Sequence, residues 1–327
     1  MTSNKIRILV TGGSGFIGTN LIEKFLYDNY EVLNIDISEP KNKLHFKFWK
    51  QCDIRNKKNL FGAILDFSPH YTVHLAARTD LNGTCLEDYD TNTTGIKNMI
   101  EALNEIKSLK RVIFVSSMYV CQPGYMPKSY DDFTPHTLYG ESKAIGEMIV
   151  QNSIQNYEWL IVRPSSIWGP WFGEPYALFF RLLKKRAFFH ISSKVCTKTY
   201  GYIDNTIYQI EQLLLTNELV IKKIFYLGDY EPYNIKEWAD EIAAQYNYRI
   251  KTIPYIFLKI LAIAGDILKR FGIDFPMTSF RLRNMTIDNI CDLSLIKALV
   301  PDLPVTRIDG IKKTISWLNY DPKDYKK

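Results

Sequence analysis

Tyr139 and Lys143 stand four residues apart in Leu138-Tyr-Gly-Glu-Ser-Lys143, and the apolar positions that follow, Ile145, Met148 and Ile149, predict a helix there. On a helix that spacing puts both side chains on one face, about 6 Å apart along the axis. A phenol with an ordinary pKa of about 10 is a poor base at neutral pH. An ammonium beside it favours phenolate and lowers that pKa. Tyr139 is therefore expected to exchange a proton with a substrate hydroxyl while Lys143 holds a ribose. Ser117 supplies a third group. It follows the continuously apolar run Arg111–Val115, a candidate buried parallel strand, and a hydroxyl at the carboxyl end of such a strand faces the ligand crevice. There it would donate to an oxygen that alternates between alcohol and ketone. A Tyr-x-x-x-Lys spacing recurs by chance on many helices, so its weight comes from the elements that position it.

The first of these elements lies at the N-terminus. The apolar run Ile6–Val10 breaks into Thr11-Gly12-Gly13-Ser14-Gly15-Phe16-Ile17-Gly18 and resumes at helical spacing through Leu21, Ile22, Phe25 and Leu26. Strand, tight turn and helix follow in the order a phosphate-binding turn requires. Gly12 or Gly13 would turn the chain, Gly15 would let backbone approach a pyrophosphate, and Gly18 would let the helix lie close on its strand. The helix's unpaired first-turn N–H groups then face the anion. A second strand, Glu31–Asp36, ends in an acid 18 residues beyond Gly18, near the spacing at which a carboxylate grips adenosine ribose hydroxyls. A 2′-phosphate there would be repelled, which favours NAD over NADP.

A third strand is expected at Phe46–Trp49. It leads to Asp53-Ile54, where Asp53 either edges an adenine ring or caps the helix over 57–67. A fourth strand, Thr72–Leu75, ends in Ala76-Ala77-Arg78, small residues that would let a cofactor lie against backbone; His74 within it reads as a core histidine. Asp90-Thr-Asn92 is expected to cap a helix through Ile96, Met99, Ile100 and Leu103. Trp159–Val162 is a sixth strand, and Lys223–Leu227 is expected to rejoin the sheet. The expected fold is α/β: a doubly wound parallel Rossmann sheet with a smaller, discontinuous, mainly helical substrate domain. Residues 1–165, with 198–228 returning, would form the first, and 166–197 with 229–327 the second.

The 327 residues are 46% hydrophobic and 23% charged, an ordinary globular balance, with a net charge of +6 spread along the chain. That charge suits anionic ligands, and no stretch resembles a nucleic-acid module. Five scattered cysteines, without a C-x-x-C spacing, support neither a metal site nor a disulfide framework. The glycine turn begins almost at once, leaving no signal-peptide pattern, so a cytoplasmic address is expected. Tyr255–Leu268 contains Lys259 and Asp266 and falls short of the roughly 20 residues that span a bilayer. It is expected to be an amphipathic helix packed in the protein, with Lys269 and Arg270 beside it leaving membrane-surface contact open.

In their order along the chain, Thr11–Gly18, Asp36, Asp53-Ile54, His74–Ala77, Asn92, Ser116-Ser117, Tyr139–Lys143 and Arg163-Pro164 through Gly169-Pro170 resemble the extended short-chain dehydrogenase/reductase family. The likeness covers nearly the whole chain and is greatest to the NAD-dependent epimerase/dehydratase branch that acts on nucleotide sugars. It implies Ser117, Tyr139 and Lys143 as the catalytic triad. It implies NAD contacts from Gly12, Ser14, Gly15, Phe16, Ile17, Gly18, Asp36, Asp53, Ile54, Leu75, Ala76 and Ala77, with Tyr139 and Lys143. Substrate contacts are expected from Arg78, Ser117, Lys198, which stands where the branch often has an arginine, and Arg283. The acidic pair that dehydratases of this branch carry after the catalytic hydroxyl is replaced by Met118 and Tyr119, which disfavours dehydration. Reversible oxidation remains, and the resemblance implies a nucleotide-sugar 4-epimerase. The alternatives are an NAD(P)-dependent dehydrogenase or reductase of a keto sugar or other secondary alcohol, and a non-catalytic NAD-binding sensor. A homodimer is expected through the helices around Asn92–Ile106 and Tyr139–Ile154.

Overall fold

The structure, a computed structural model, describes residues 5–192, 196–216, 220–273, 275 and 278–320. The outermost ends of the two expected domains, 1–4 and 321–327, lie outside them. Seven strands form one parallel sheet: β1 (Arg7–Thr11), β2 (Glu31–Asp36), β3 (Trp49–Gln51), β4 (Tyr71–His74), β5 (Arg111–Val115), β6 (Glu158–Pro164) and, after smaller strands, β11 (Ile224–Leu227). Their order across the sheet is β11-β6-β5-β4-β1-β2-β3. The chain therefore leaves β1 in both directions, and the crevice between the carboxyl ends of β1 and β4 is where such sheets bind ligands.

Side chains alternate across a strand, so each strand feeds two cores. Ile8 and Val10 point to one face with α1 (Phe16–Tyr27) and α6 (Ile203–Leu215). Leu9, Val112 and Phe114 point to the other with α2 (Lys57–Phe67), α3 (Thr94–Asn104) and α4 (Leu138–Asn152). Every residue of β5 is buried, as its unbroken apolar run implied.

The remaining elements are α5 (Tyr176–Lys184), α7 (Ile235–Ala244), α8 (Tyr255–Arg270), α9 (Ser279–Thr286), α10 (Ser294–Leu299) and α11 (Arg307–Asn319). Short strand pairs tie them together: β7 (Ser166–Trp168) with β10 (Tyr200–Tyr202), β8 (Phe189–Ile191) with β13 (Lys251–Ile253), and β9 (Thr197–Lys198) with β12 (Tyr233–Asn234). Trp168 is fully buried among Phe180, Tyr202 and Trp238, with ring centroids 5.7, 4.9 and 5.2 Å away.

Four expectations need correction. Phe46–Trp49 is mostly a 3-10 turn, Lys43–Phe48, because Asn42 accepts from the Leu44 N–H and starts a helical turn; the strand begins only at Trp49. Asn56, not Asp53, caps α2. Asn92 does not cap α3, since it ends a 3-10 turn over Leu86–Asn92 and its amide is used elsewhere. Helix α8 buries only Leu258, Ala262 and Gly265, leaving its long apolar stripe outside rather than packed.

Candidate active site

The glycine turn joins β1 to α1 at the crevice. Gly12 has φ +72°, and a Cβ there would come within 2.6 Å of the Ala76 nitrogen, so the turn needs glycine both for its conformation and for its closeness to β4. At Gly18 a Cβ would lie 2.5 Å from the Gly12 carbonyl oxygen, so this glycine lets α1 close on the turn itself. Gly15 precedes the helix with no side-chain cap, leaving first-turn N–H groups without that partner. Asp36, at the end of β2, accepts from the Ser14 N–H at 3.0 Å and the Ser38 N–H at 2.9 Å, one bond to each carboxylate oxygen. Each oxygen keeps a lone pair for a further donor, such as a ribose hydroxyl. Burial pushes its carboxyl above the ordinary range, against those hydrogen bonds. Asp53 is turned to Arg55, whose guanidinium holds its carboxyl below the usual range.

These residues and Ser117, Tyr139 and Lys143 line one cleft of about 1190 Å³, wider than the roughly 300–1,000 Å³ that holds a drug-sized ligand. Ile54 and Leu75–Ala77 line it as well. The uncapped helix start, the glycine cradle and the acid at β2 fit a dinucleotide.

Thr137 starts α4 by accepting from the Gly140 N–H at 3.0 Å, and the helix carries Tyr139 and Lys143 past the end of β5. Ser117 accepts from the Tyr119 N–H at 3.1 Å, which leaves its O–H free to donate to Tyr139. The expected influence of Lys143 on the phenol is corrected by the geometry. Lys143 Nζ donates to the Val115 carbonyl at 2.7 Å, and burial lowers its pKa to about 8. Burial pushes the Tyr139 phenol up to about 12, with the hydrogen bond from Ser117 pulling the other way. Desolvation is the largest influence on both groups, each of which is less than a tenth exposed on the cleft wall.

His74 is the core histidine its surroundings suggested. Its Nδ1 lies 2.7 Å from Thr11 Oγ1, its ring packs edge-on to Phe114, and burial lowers its pKa to about 3. The Arg78 guanidinium is engaged by Asp80 at 2.8 Å and the Asp88 carbonyl at 2.9 Å, although the residue does border the cleft. Lys198 on β9 and Arg283 on α9 are not among the cleft's lining residues; Arg283 is exposed, and its charge reaches His136.

The sequence named Asn92 as a helix cap and Tyr119 only as the residue replacing an acid, and it gave Glu147 no role. Asn92 is buried, bonds both backbone groups of Arg78 and donates to Ser142 Oγ at 2.8 Å, fixing the cleft wall to α4. Tyr119 stacks on His136 and approaches Tyr139 at 5.9 Å. Glu147 lies one turn beyond Lys143, a spacing that was visible, and forms an ion pair with Arg163 in which both side chains are at most 2% exposed. Among the described residues no group of three or more His, Cys, Asp or Glu is placed to hold a metal.

The model of the NAD-dependent epimerase/dehydratase family matches residues 8–187. A 3-beta-hydroxysteroid dehydrogenase of Mycolicibacterium neoaurum is 28% identical over 76% of this chain and 72% of its own. An N-acetyl-alpha-D-glucosaminyl-diphospho-ditrans,octacis-undecaprenol 4-epimerase of Escherichia coli O157:H7 is 25% identical over 95% and 94%. A dTDP-4-dehydrorhamnose reductase and a dTDP-D-glucose 4,6-dehydratase also match. The crystal structure of a Thermotoga maritima UDP-glucose 4-epimerase with UDP-glucose superposes with a TM-score of 0.73 at 19% identity, covering 96% of this chain and 98% of that one, which shows a shared fold.

Proposed function

The chain belongs to the NAD-dependent epimerase/dehydratase family, and on that premise we propose that it is a 4-epimerase of a nucleotide sugar. The observation that carries the reading is the meeting of Ser117, Tyr139 and Lys143 in one cleft with the glycine turn, next to Met118 and Tyr119. Ser117 donates to the sugar hydroxyl oxygen, and Tyr139 removes its proton as the carbon is oxidised to a ketone. Lys143, anchored on the end of β5, fixes a ribose hydroxyl. NAD, when bound on Gly12–Gly18 and Asp36, supplies the acceptor and later the donor of hydride. Return of the proton from Tyr139 after the ketone has presented its other face yields the epimer. Two side chains without carboxylates follow Ser117, so no acid–base pair stands there for loss of water; this favours epimerisation over dehydration. Asp36 favours NAD over NADP, and NAD suits a retained, self-recycling cofactor, which favours epimerisation over net reduction.

A second reading of the sugar's carrier is favoured by one observation, the apolar stripe left outside on α8. The E. coli relative named above is an epimerase of a polyprenol-diphosphate-linked sugar, and a lipid diphosphate would serve the same cleft. Either reading includes a homodimer through α3 and α4, which light scattering measures.

Incubation with NAD and a panel of UDP-, GDP- and dTDP-sugars and lipid-diphosphate sugars, with products identified by NMR, tests the proposal. Interconversion without net NADH is expected. Stoichiometric NADH or an unsaturated or deoxygenated product would replace the epimerase with an oxidoreductase or a dehydratase. In the same assay Tyr139→Phe is expected to lose about 10²–10⁴-fold in turnover while still binding NAD.

A further inference from the structure

Helix α8 is an appendage with its own small core. Leu258 and Ala262 pack with Leu282 of α9 in a cluster separate from the two cores that flank the sheet. On the opposite side Ile256, Ile260, Ile263, Ile267 and Phe271 recur at intervals of three and four, one helical face, and are 50–76% exposed. Phe257 and Leu261 widen the stripe at 58% and 45% exposure. An apolar face of this size on a helix that does not need it for packing marks a docking surface.

The charges beside the stripe choose the occupant. Lys259 and Arg270 are exposed on one flank, eleven residues apart and so nearly in line, and Lys269 stands beside Arg270 in the last turn. The only carboxylate on α8, Asp266, accepts from the Ser279 N–H at 3.0 Å and is held toward α9. An antiparallel second copy of this face would bring basic flank to basic flank, and a parallel one would set the basic flank against Phe257 and Leu261. An anionic headgroup layer would meet the cations while acyl chains take the isoleucines, the arrangement of a helix lying in a membrane interface. No helix among the described residues is long and apolar enough to cross a membrane, so the contact is with a surface.

We propose that the outer face of α8 docks this protein onto an anionic lipid bilayer. Short connections lead from there toward the cleft. Beyond α9 the chain returns to β9, where Asn289 bridges to Lys198 and its Nδ2 lies 3.5 Å from Met118 Sδ, next to Ser117. The chain thus leads from the docked helix through α9 to Asn289 beside Met118 at the cleft's edge, a placement that serves a substrate held at the membrane and holds whichever carrier bears the sugar.

Sedimentation with vesicles tests the surface without any enzymatic readout, so its failure is separate from failure of the epimerase reading. The full chain is expected to pellet with vesicles of phosphatidylcholine and phosphatidylglycerol, less with phosphatidylcholine alone, and less as salt rises. Ile260→Glu/Ile263→Glu is expected to weaken that binding about tenfold or more, with NAD binding and circular dichroism unchanged. If this variant misfolds, Lys259→Glu/Arg270→Glu carries the test, with loss expected on the anionic vesicles. A chain that stays in the supernatant with both compositions overturns the proposal. So does retention of full binding by the folded variants, or conversion of a dimer to a monomer by the isoleucine substitutions without vesicle binding.

Discussion

Lys143 shows how burial can reverse what spacing suggests. Four residues from Tyr139, it was expected to make the phenol more acidic, yet its Nζ is held by the Val115 carbonyl and the phenol is pushed up to about 12. A cation on the substrate side of the cleft, as an oxidised nicotinamide is, would favour phenolate by the same Coulomb rule. The lysine itself is placed at a cost. A fall in its pKa from 10.5 to about 8 corresponds to about 3 kcal/mol, by the relation of 1.36 kcal/mol per pKa unit. Below pH 8 the folded and unfolded states both carry the proton and the whole penalty is present. Between 8 and 10.5 the unfolded chain binds more protons, so this group's penalty relaxes as pH rises. Lys143→Met is therefore expected to raise the unfolding midpoint at pH 7, with the gain shrinking toward pH 10, while turnover is lost. Denaturation at several pH values checks it, and a gain constant across that range would remove the electrostatic explanation.

Helix α4 is the element on which the site depends, and it is fixed at both ends of its functional face. Thr137 caps its start, and Glu147, one turn past Lys143, pairs with Arg163 of β6 through bonds of 2.8 and 2.7 Å. Arg163 also donates to the Tyr226 hydroxyl at 3.1 Å, so helix, β6 and β11 meet at one guanidinium. Removing one partner of such a pair leaves the other charge buried and uncompensated. Glu147→Gln is expected to destabilise the fold by about 3–5 kcal/mol, read as a shifted denaturation midpoint. A change under about 1 kcal/mol would show that the tyrosine and backbone contacts already satisfy Arg163. The glycine turn, by contrast, was legible in the sequence. Its spacing is local, and only the choice of Gly12 over Gly13 as the left-handed residue needed coordinates.

At the scale of the molecule, the two expected domains share a core. One apolar cluster runs from Ile8 and Val10 through Trp168, Tyr202 and Trp238 to Ile311, crossing every proposed boundary. We propose that the two-part division of the chain describes ligand roles within one folding unit. Far-UV circular dichroism and tryptophan fluorescence are expected to report one coincident thermal transition. Two separated transitions would show that the parts hold together independently.

The sequence by itself determined the parallel sheet, the glycine turn, the acid closing β2 and the spacing of Tyr139 and Lys143 on α4. Each is written in short-range periodicity or in a spacing of a few residues. The tertiary structure alone decided what those residues face. It gave Lys143 to a backbone carbonyl, Arg78 to Asp80, Asn92 to the joint between the cleft wall and α4, and the isoleucines of α8 to the outside. Periodicity finds an apolar face but not what covers it, and a pKa depends on water excluded by groups far away in the chain.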